Sequence, residues 1–127
     1  MQSWKEKVVV ITGGTAGIGK ALALASQQAG AQTVVVARSK DGLKAIEEQT
    51  DGKIYGVEGD VTEDESIETA IEEVIGKFGR IDIFINNAGI SGLNTSVADY
   101  PLDEWNKIIN LNLNAVFYCC KAVVPYM

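Results

Sequence analysis

The sequence predicts an α/β domain, a parallel sheet doubly wound by helices on both faces in three αβα layers. Two observations point there. Short β-branched runs alternate with helix-length amphipathic stretches at regular intervals, which is the rhythm of βαβ units. The first run, residues 7–12, is apolar at consecutive rather than alternate positions, as suits a strand covered on both faces. With 127 residues, 46% hydrophobic and 22% charged, one core and one domain are expected.

The elements follow in order. The 7–12 strand leads through a glycine turn to a helix over 17–29, with Ile18, Ala21, Leu22 and Ala25 at helical spacing and Gly30 placed for a left-handed cap. Residues 33–37 read as the second strand. Lys40–Gln49 reads as a short helix with Ser39 as N-cap and Leu43, Ala45 and Ile46 on its apolar face. A weaker third strand covers 53–58. A helix over 62–78 opens on the capping-box spacing Thr62-x-x-Glu65 and carries the stripe Ile67, Ile71, Val74, Ile75 and Phe78, with Gly79 ending it. Residues 81–86 form the fourth strand, a loop covers 87–101, and a last helix is expected over 102–127.

Composition removes whole classes of chemistry. There is no histidine, which excludes a Ser/His/Asp triad, a Cys/His pair, an imidazole base and a His-ligated zinc. The net charge of −6 argues against a nucleic-acid surface, which needs clustered Lys and Arg, and against a membrane-surface role. Cys119 and Cys120 are adjacent, which suits neither a disulfide framework nor a metal cluster; core packing in a reducing cytoplasm is expected. The early apolar run 8–11 is far too short to span a membrane, and no targeting or anchoring segment is expected.

The chemistry-bearing segment is the turn Thr12-Gly13-Gly14-Thr15-Ala16-Gly17-Ile18-Gly19. Glycines there permit a tight turn, close backbone approach to a pyrophosphate, and close packing of helix on strand, with phosphates meeting the free N–H groups of the helix N-terminus. A glycine turn alone also serves as a plain tight turn. Its spacing with Thr12 and Ile18, however, resembles the Thr-Gly-x-x-x-Gly-Ile-Gly pattern of the short-chain dehydrogenase/reductase family. Asp60-Val61 after the third strand, Asn86-Asn87-Ala88-Gly89 after the fourth, and Asn112 five residues before Phe117 match that family in order. The resemblance covers essentially the whole chain and implies a Rossmann-type sheet of strand order 3-2-1-4. Ligands bind such sheets where the strand order reverses, here between strands 1 and 4, beyond their carboxyl ends.

The resemblance implies cofactor-binding roles for Gly13, Thr15, Ala16, Gly17, Ile18, Gly19, Asp60, Val61, Asn87, Ala88 and Gly89, and a catalytic one for Asn112 as organiser of a water relay. Asp60-Val61 would read the adenine, and Asp60 also fits a helix-entry acid. An NAD-preferring site places a carboxylate at the end of the second strand, where this chain has Ala37-Arg38-Ser39-Lys40. Arg38, beside Ser39, can pair a 2′-phosphate bidentately, so NADP is the expected cofactor, with NAD and a merely solvated Arg38 left open. Ala16 stands where some NADP-preferring relatives carry a basic residue. Arg38 also speaks against a methyltransferase-like site, which wants an acid there.

One departure is large. The family's acid–base chemistry uses a tyrosine assisted by lysine in Tyr-x-x-x-Lys, with a serine orienting the substrate carbonyl. Tyr55, Tyr100 and Tyr118 are followed four residues later by Gly59, Glu104 and Ala122, and Tyr118-Cys-Cys-Lys121 is one residue short. Residues 1–127 therefore read as the N-terminal, dinucleotide-binding half of a Rossmann domain whose C-terminal half is absent, inactive alone. The expected whole is a reductase or dehydrogenase of a carbonyl or secondary alcohol, of 3-oxoacyl or sugar and polyol type. The other reading is a non-catalytic NADP-binding or regulatory module. The last helix is apolar all round and the fourth strand would be an open edge, so a homo-oligomer through 102–127 is expected rather than a well-behaved monomer.

Overall fold

The computed structural model describes residues 3–127. Four parallel strands, β1 (Val8–Thr12), β2 (Gln32–Ala37), β3 (Ile54–Glu58) and β4 (Ile83–Ile85), form one sheet in the order β3-β2-β1-β4. The register runs Val10 opposite Val34 and Phe84, with Val34 opposite Tyr55. The strands are connected by α1 (Gly17–Gln28), α2 (Lys40–Gln49) and α3 (Asp64–Phe78). After β4 come a 3₁₀ turn (Val97–Asp99), α4 (Leu102–Ile109), a π-helical turn (Asn110–Asn114), α5 (Ala115–Val123) and a terminal 3₁₀ turn (Val124–Tyr126).

Strand pleating divides the apolar residues into two cores. Val8, Val10, Val34, Val36 and Val57 meet Ile67, Ile71 and Val74 of α3 and Ala115, Cys119 and Val123 of α5. Val9, Ile11, Val35 and Ile54 face the other way, onto Ala23 of α1 and Leu43 and Ile46 of α2. This is why β1 is apolar at each of its first four positions, Val8 to Ile11, and the three layers agree with the expected architecture.

Five details differ from expectation. The buried face of α1 is Gly19, Ala23 and Ser26, whereas Ile18 is 76% exposed and Ala21 and Ala25 face solvent. The close approach of Gly19 to the Gly13 carbonyl and the Asn87 side chain sets the helix rotation, overriding the apolar count. Ala45 is exposed, so Leu43 and Ile46 alone seat α2, while Ser39 caps it as expected by accepting from Gly42 N–H at 3.0 Å. The Thr62/Glu65 capping box does not form: α3 starts at Asp64, and the Thr62 hydroxyl donates instead to Asp60 Oδ1 at 2.6 Å. β4 is only Ile83–Ile85, and the last helix is broken by the π-helical turn at the three asparagines Asn110, Asn112 and Asn114. That segment, Leu102–Tyr126, has the length and hydropathy of a membrane span (25 residues, mean hydropathy 1.3), yet one of its faces packs on α3.

Candidate functional site

The turns after all four strands reach the same carboxyl edge of the sheet and enclose a cleft of about 530 Å³. The first turn contributes Gly13, Thr15, Ala16, Gly17 and Ile18; Arg38 and Ser39 follow β2; Asp60 and Val61 follow β3; and Asn87, Ala88 and Gly89 follow β4. These are the residues singled out in the sequence except two. Gly19 is buried beneath the turn, and Asn112 lies on the helix behind the loop it holds. The cleft also takes in Val36, Ala37, Gly59, Ile90 and Leu111. All but Val36, which is two positions before Arg38, directly precede or follow a residue already singled out, and that adjacency was the available signal.

Thr12 and Asn87 lock the first and fourth turns together. The Thr12 hydroxyl accepts from the N–H groups of Asn87 and Ala88 at 3.1 and 3.2 Å. The Asn87 side-chain Nδ2 donates to the carbonyls of Thr12 and Gly13, both at 3.1 Å. Gly13 stands at φ +68, and a Cβ there would lie 3.0 Å from Ala88 Cα, so only glycine fits a turn so close to its neighbour. A Cβ on Gly19 would collide with the Asn87 amide and the Gly13 carbonyl.

The N-terminus of α1 opens on the cleft without a competing anion. Its N-cap, Ala16, makes no side-chain hydrogen bond and its first turn holds no acid, whereas α2, α3 and α4 all carry Asp or Glu there. In a chain of net charge −6, the free N–H groups and positive dipole end of α1 are thus left to an external anion. Backbone donors beside an aliphatic-sided cleft, with glycines where a Cβ would close it, suit the pyrophosphate of a dinucleotide.

Arg38 is exposed at the far end of the cleft, next to the Asp60 carboxylate. Partial burial pushes the Asp60 carboxyl up, but hydrogen bonds from the Thr62 hydroxyl and N–H, with the Arg38 charge, outweigh it and hold the group below the usual carboxylate range. Asp60 thus forms a turn ahead of α3 rather than an N-cap, while its own N–H donates to Ser66 Oγ at 2.8 Å. At the other end, Asn112 Oδ1 accepts from Ile90 N–H at 2.9 Å and its Nδ2 donates to the Ile90 carbonyl at 2.7 Å. An amide oxygen accepts twice and an NH₂ donates twice, so among the described residues each polar end of Asn112 uses one of its two positions.

The model of the short chain dehydrogenase family matches residues 7–127. The chain belongs to that family. A 3β-hydroxysteroid dehydrogenase of Mediterraneibacter gnavus is 34% identical over 130 residues, covering all of this chain and 47% of that protein. A 3-oxoacyl-acyl-carrier-protein reductase of Thermotoga maritima is 37% identical over 124 residues, covering 95% of this chain and 50% of that one. Among solved structures, the 3-ketoacyl-acyl-carrier-protein reductase of Brucella melitensis complexed with NADH superposes with a TM-score of 0.94 at 28% identity, over 98% of this chain and 51% of that one. An NAD⁺-bound xylitol dehydrogenase gives 0.94 at 29%, over 99% and 50%. The chain therefore spans about half the length of the short-chain dehydrogenases it matches.

Proposed function

We propose that this chain is the nucleotide-binding half of an NADP(H)-dependent short-chain dehydrogenase/reductase acting on a carbonyl or secondary-alcohol substrate of 3-oxoacyl or sugar and polyol type. The observation that supports it most is the convergence of four βα turns on one cleft, between an uncapped helix N-terminus and Arg38. The N-terminus of α1 with Thr15, Ala16, Gly17 and Ile18 would hold the pyrophosphate, and Arg38 with Ser39 a 2′-phosphate. Asp60 and Val61 would border the adenine, and the Asn87–Gly89 turn the nicotinamide side. The relatives bound to NADH and NAD⁺ support a nicotinamide dinucleotide in general; the preference for NADP rests on Arg38 alone.

The bound cofactor supplies or accepts the hydride. This chain's part is to bind and orient it, and Asn112, holding Ile90 with one of the two positions at each polar end, can seat a water beside the loop. In this proposal none of Tyr55, Tyr100 and Tyr118 is the proton donor, since four positions on they meet Gly59, Glu104 and Ala122 rather than a lysine. A homo-oligomer through 102–127, a reducing cytoplasm, and neither nucleic acid nor membrane as partner complete the proposal.

The test is titration of the chain with NADPH and NADH, followed by calorimetry. NADPH is expected to bind about tenfold tighter or better, and Arg38→Asp to reverse the order. NADH binding at least as tightly would overturn the reading of Arg38, and binding of neither would overturn the function.

A further inference from the structure

Residues 89–99 are all exposed, and 90–96 belong to no strand or helix. Such a segment has no ladder to hold it. Its first residue, Ile90, nevertheless lines the cleft, on the β4 side of the sheet whereas Arg38 follows β2. A dinucleotide with its adenosine phosphate at Arg38 and its pyrophosphate on α1 extends its nicotinamide toward this side.

Two side chains hold the loop. Asn112 clamps Ile90 from both sides, as described above. Three residues on, Leu93 N–H donates to the phenol oxygen of Tyr100 at 3.0 Å. Between the anchors, Gly92 takes φ +77, and a Cβ on it would lie 2.6 Å from that same phenol oxygen and collide with Ile108 Cδ1. The loop backbone is therefore pressed flat against Tyr100 and Ile108. The phenol is itself directed by packing, since its half-buried ring meets Trp105 edge to face at 6.4 Å and 88°.

We infer that Tyr100 is a positioning residue for the nicotinamide end of the cleft, its phenol oxygen fixing the 90–93 loop against which nicotinamide and substrate would lie. This rests on the dinucleotide function proposed above. Tyr100 touches no reacting atom; it acts through Leu93 and Gly92.

The experiment compares two ligands on the chain. NADPH spans the whole cleft, whereas 2′,5′-ADP has the phosphates and adenine but no nicotinamide. Tyr100→Phe keeps the ring on Trp105 and removes one hydrogen bond. It is expected to weaken NADPH about fivefold and to lower the fluorescence gain of bound nicotinamide, with 2′,5′-ADP affinity unchanged. Gly92→Ala, which forces the loop off the same contact, is expected to reproduce that selective loss. Variants that bind NADPH as the unaltered chain does overturn the inference alone. An equal loss for both ligands reduces Tyr100 to a folding contact and overturns it as well. An unaltered chain that binds neither ligand overturns the proposed function, and this inference with it.

Discussion

Asp60, proposed to border the adenine, also contributes to stability through its carboxylate. Thr62 donates to it twice, at 2.9 Å from N–H and 2.6 Å from the hydroxyl, and Arg38 adds positive charge, so the folded state favours its ionised form. A carboxyl lowered in this way contributes stability that is fully present above its ordinary value of 3.8 and lost as pH falls through the lower, folded value. Asp60→Asn is therefore expected to lower stability by about 1 kcal/mol at neutral pH, after allowing for solvent screening at a partly exposed site. In melting curves taken across pH, the gap between the two proteins should close below about pH 4. A gap that persists unchanged at low pH would mean the carboxylate charge plays no part. Sequence spacing pointed to Asp60 and to Thr62, but paired Thr62 with Glu65. The actual partner is two residues back, because the turn after β3 directs the Asp60 side chain onto the chain that follows it.

Among the elements, the segment from α4 to the last turn departs most from a self-contained fold. On α5, Ala115, Cys119 and Val123 recur at helical spacing and are buried against α3, and burial pushes the Cys119 thiol up to about 12. Away from that face Leu113, Phe117 and Val124 are 62%, 65% and 63% exposed, at spacings of four and seven residues, and water does not favour such apolar exposure. β4, paired only with β1, is an open edge. Phe117→Asp is expected to shift the chain from an oligomer to its monomer mass in light scattering while leaving NADPH affinity intact, since Phe117 lies outside the cleft. A wild-type chain already monomeric, with a sharp two-state melt, would remove the oligomer from the proposal. The all-round apolarity of this helix was evident in its sequence. The π-helical turn was not, since three alternate asparagines carry no period that distinguishes an added residue per turn from a regular helix.

At the level of the whole molecule, three crossovers bring four turns to one sheet edge, to which the proposed function assigns cofactor binding and no proton donor. These residues are expected to bind NADPH yet show no carbonyl-dependent loss of its absorbance against a panel of ketones, sugars and 3-oxoacyl thioesters. Turnover above the buffer rate would overturn the claim that the proton donor lies elsewhere, and a whole protein without turnover would favour the non-catalytic module. Local sequence carried most of this architecture: the apolar strands announce a sheet covered on both faces, the glycine spacing announces the turn, and Arg38 stands where a carboxylate would otherwise be. Each of those signals is local, because backbone conformation and strand burial depend on near neighbours in the chain. The rotation of α1 about Gly19, the tie of Asn87 to Thr12, the grip of Asn112 on Ile90 and that of Tyr100 on Leu93 came only with the tertiary structure. Most of these contacts join residues far apart in the chain, and even Tyr100 meets Leu93 only across an irregular loop, so their geometry is set by how sheet, helices and turns pack together.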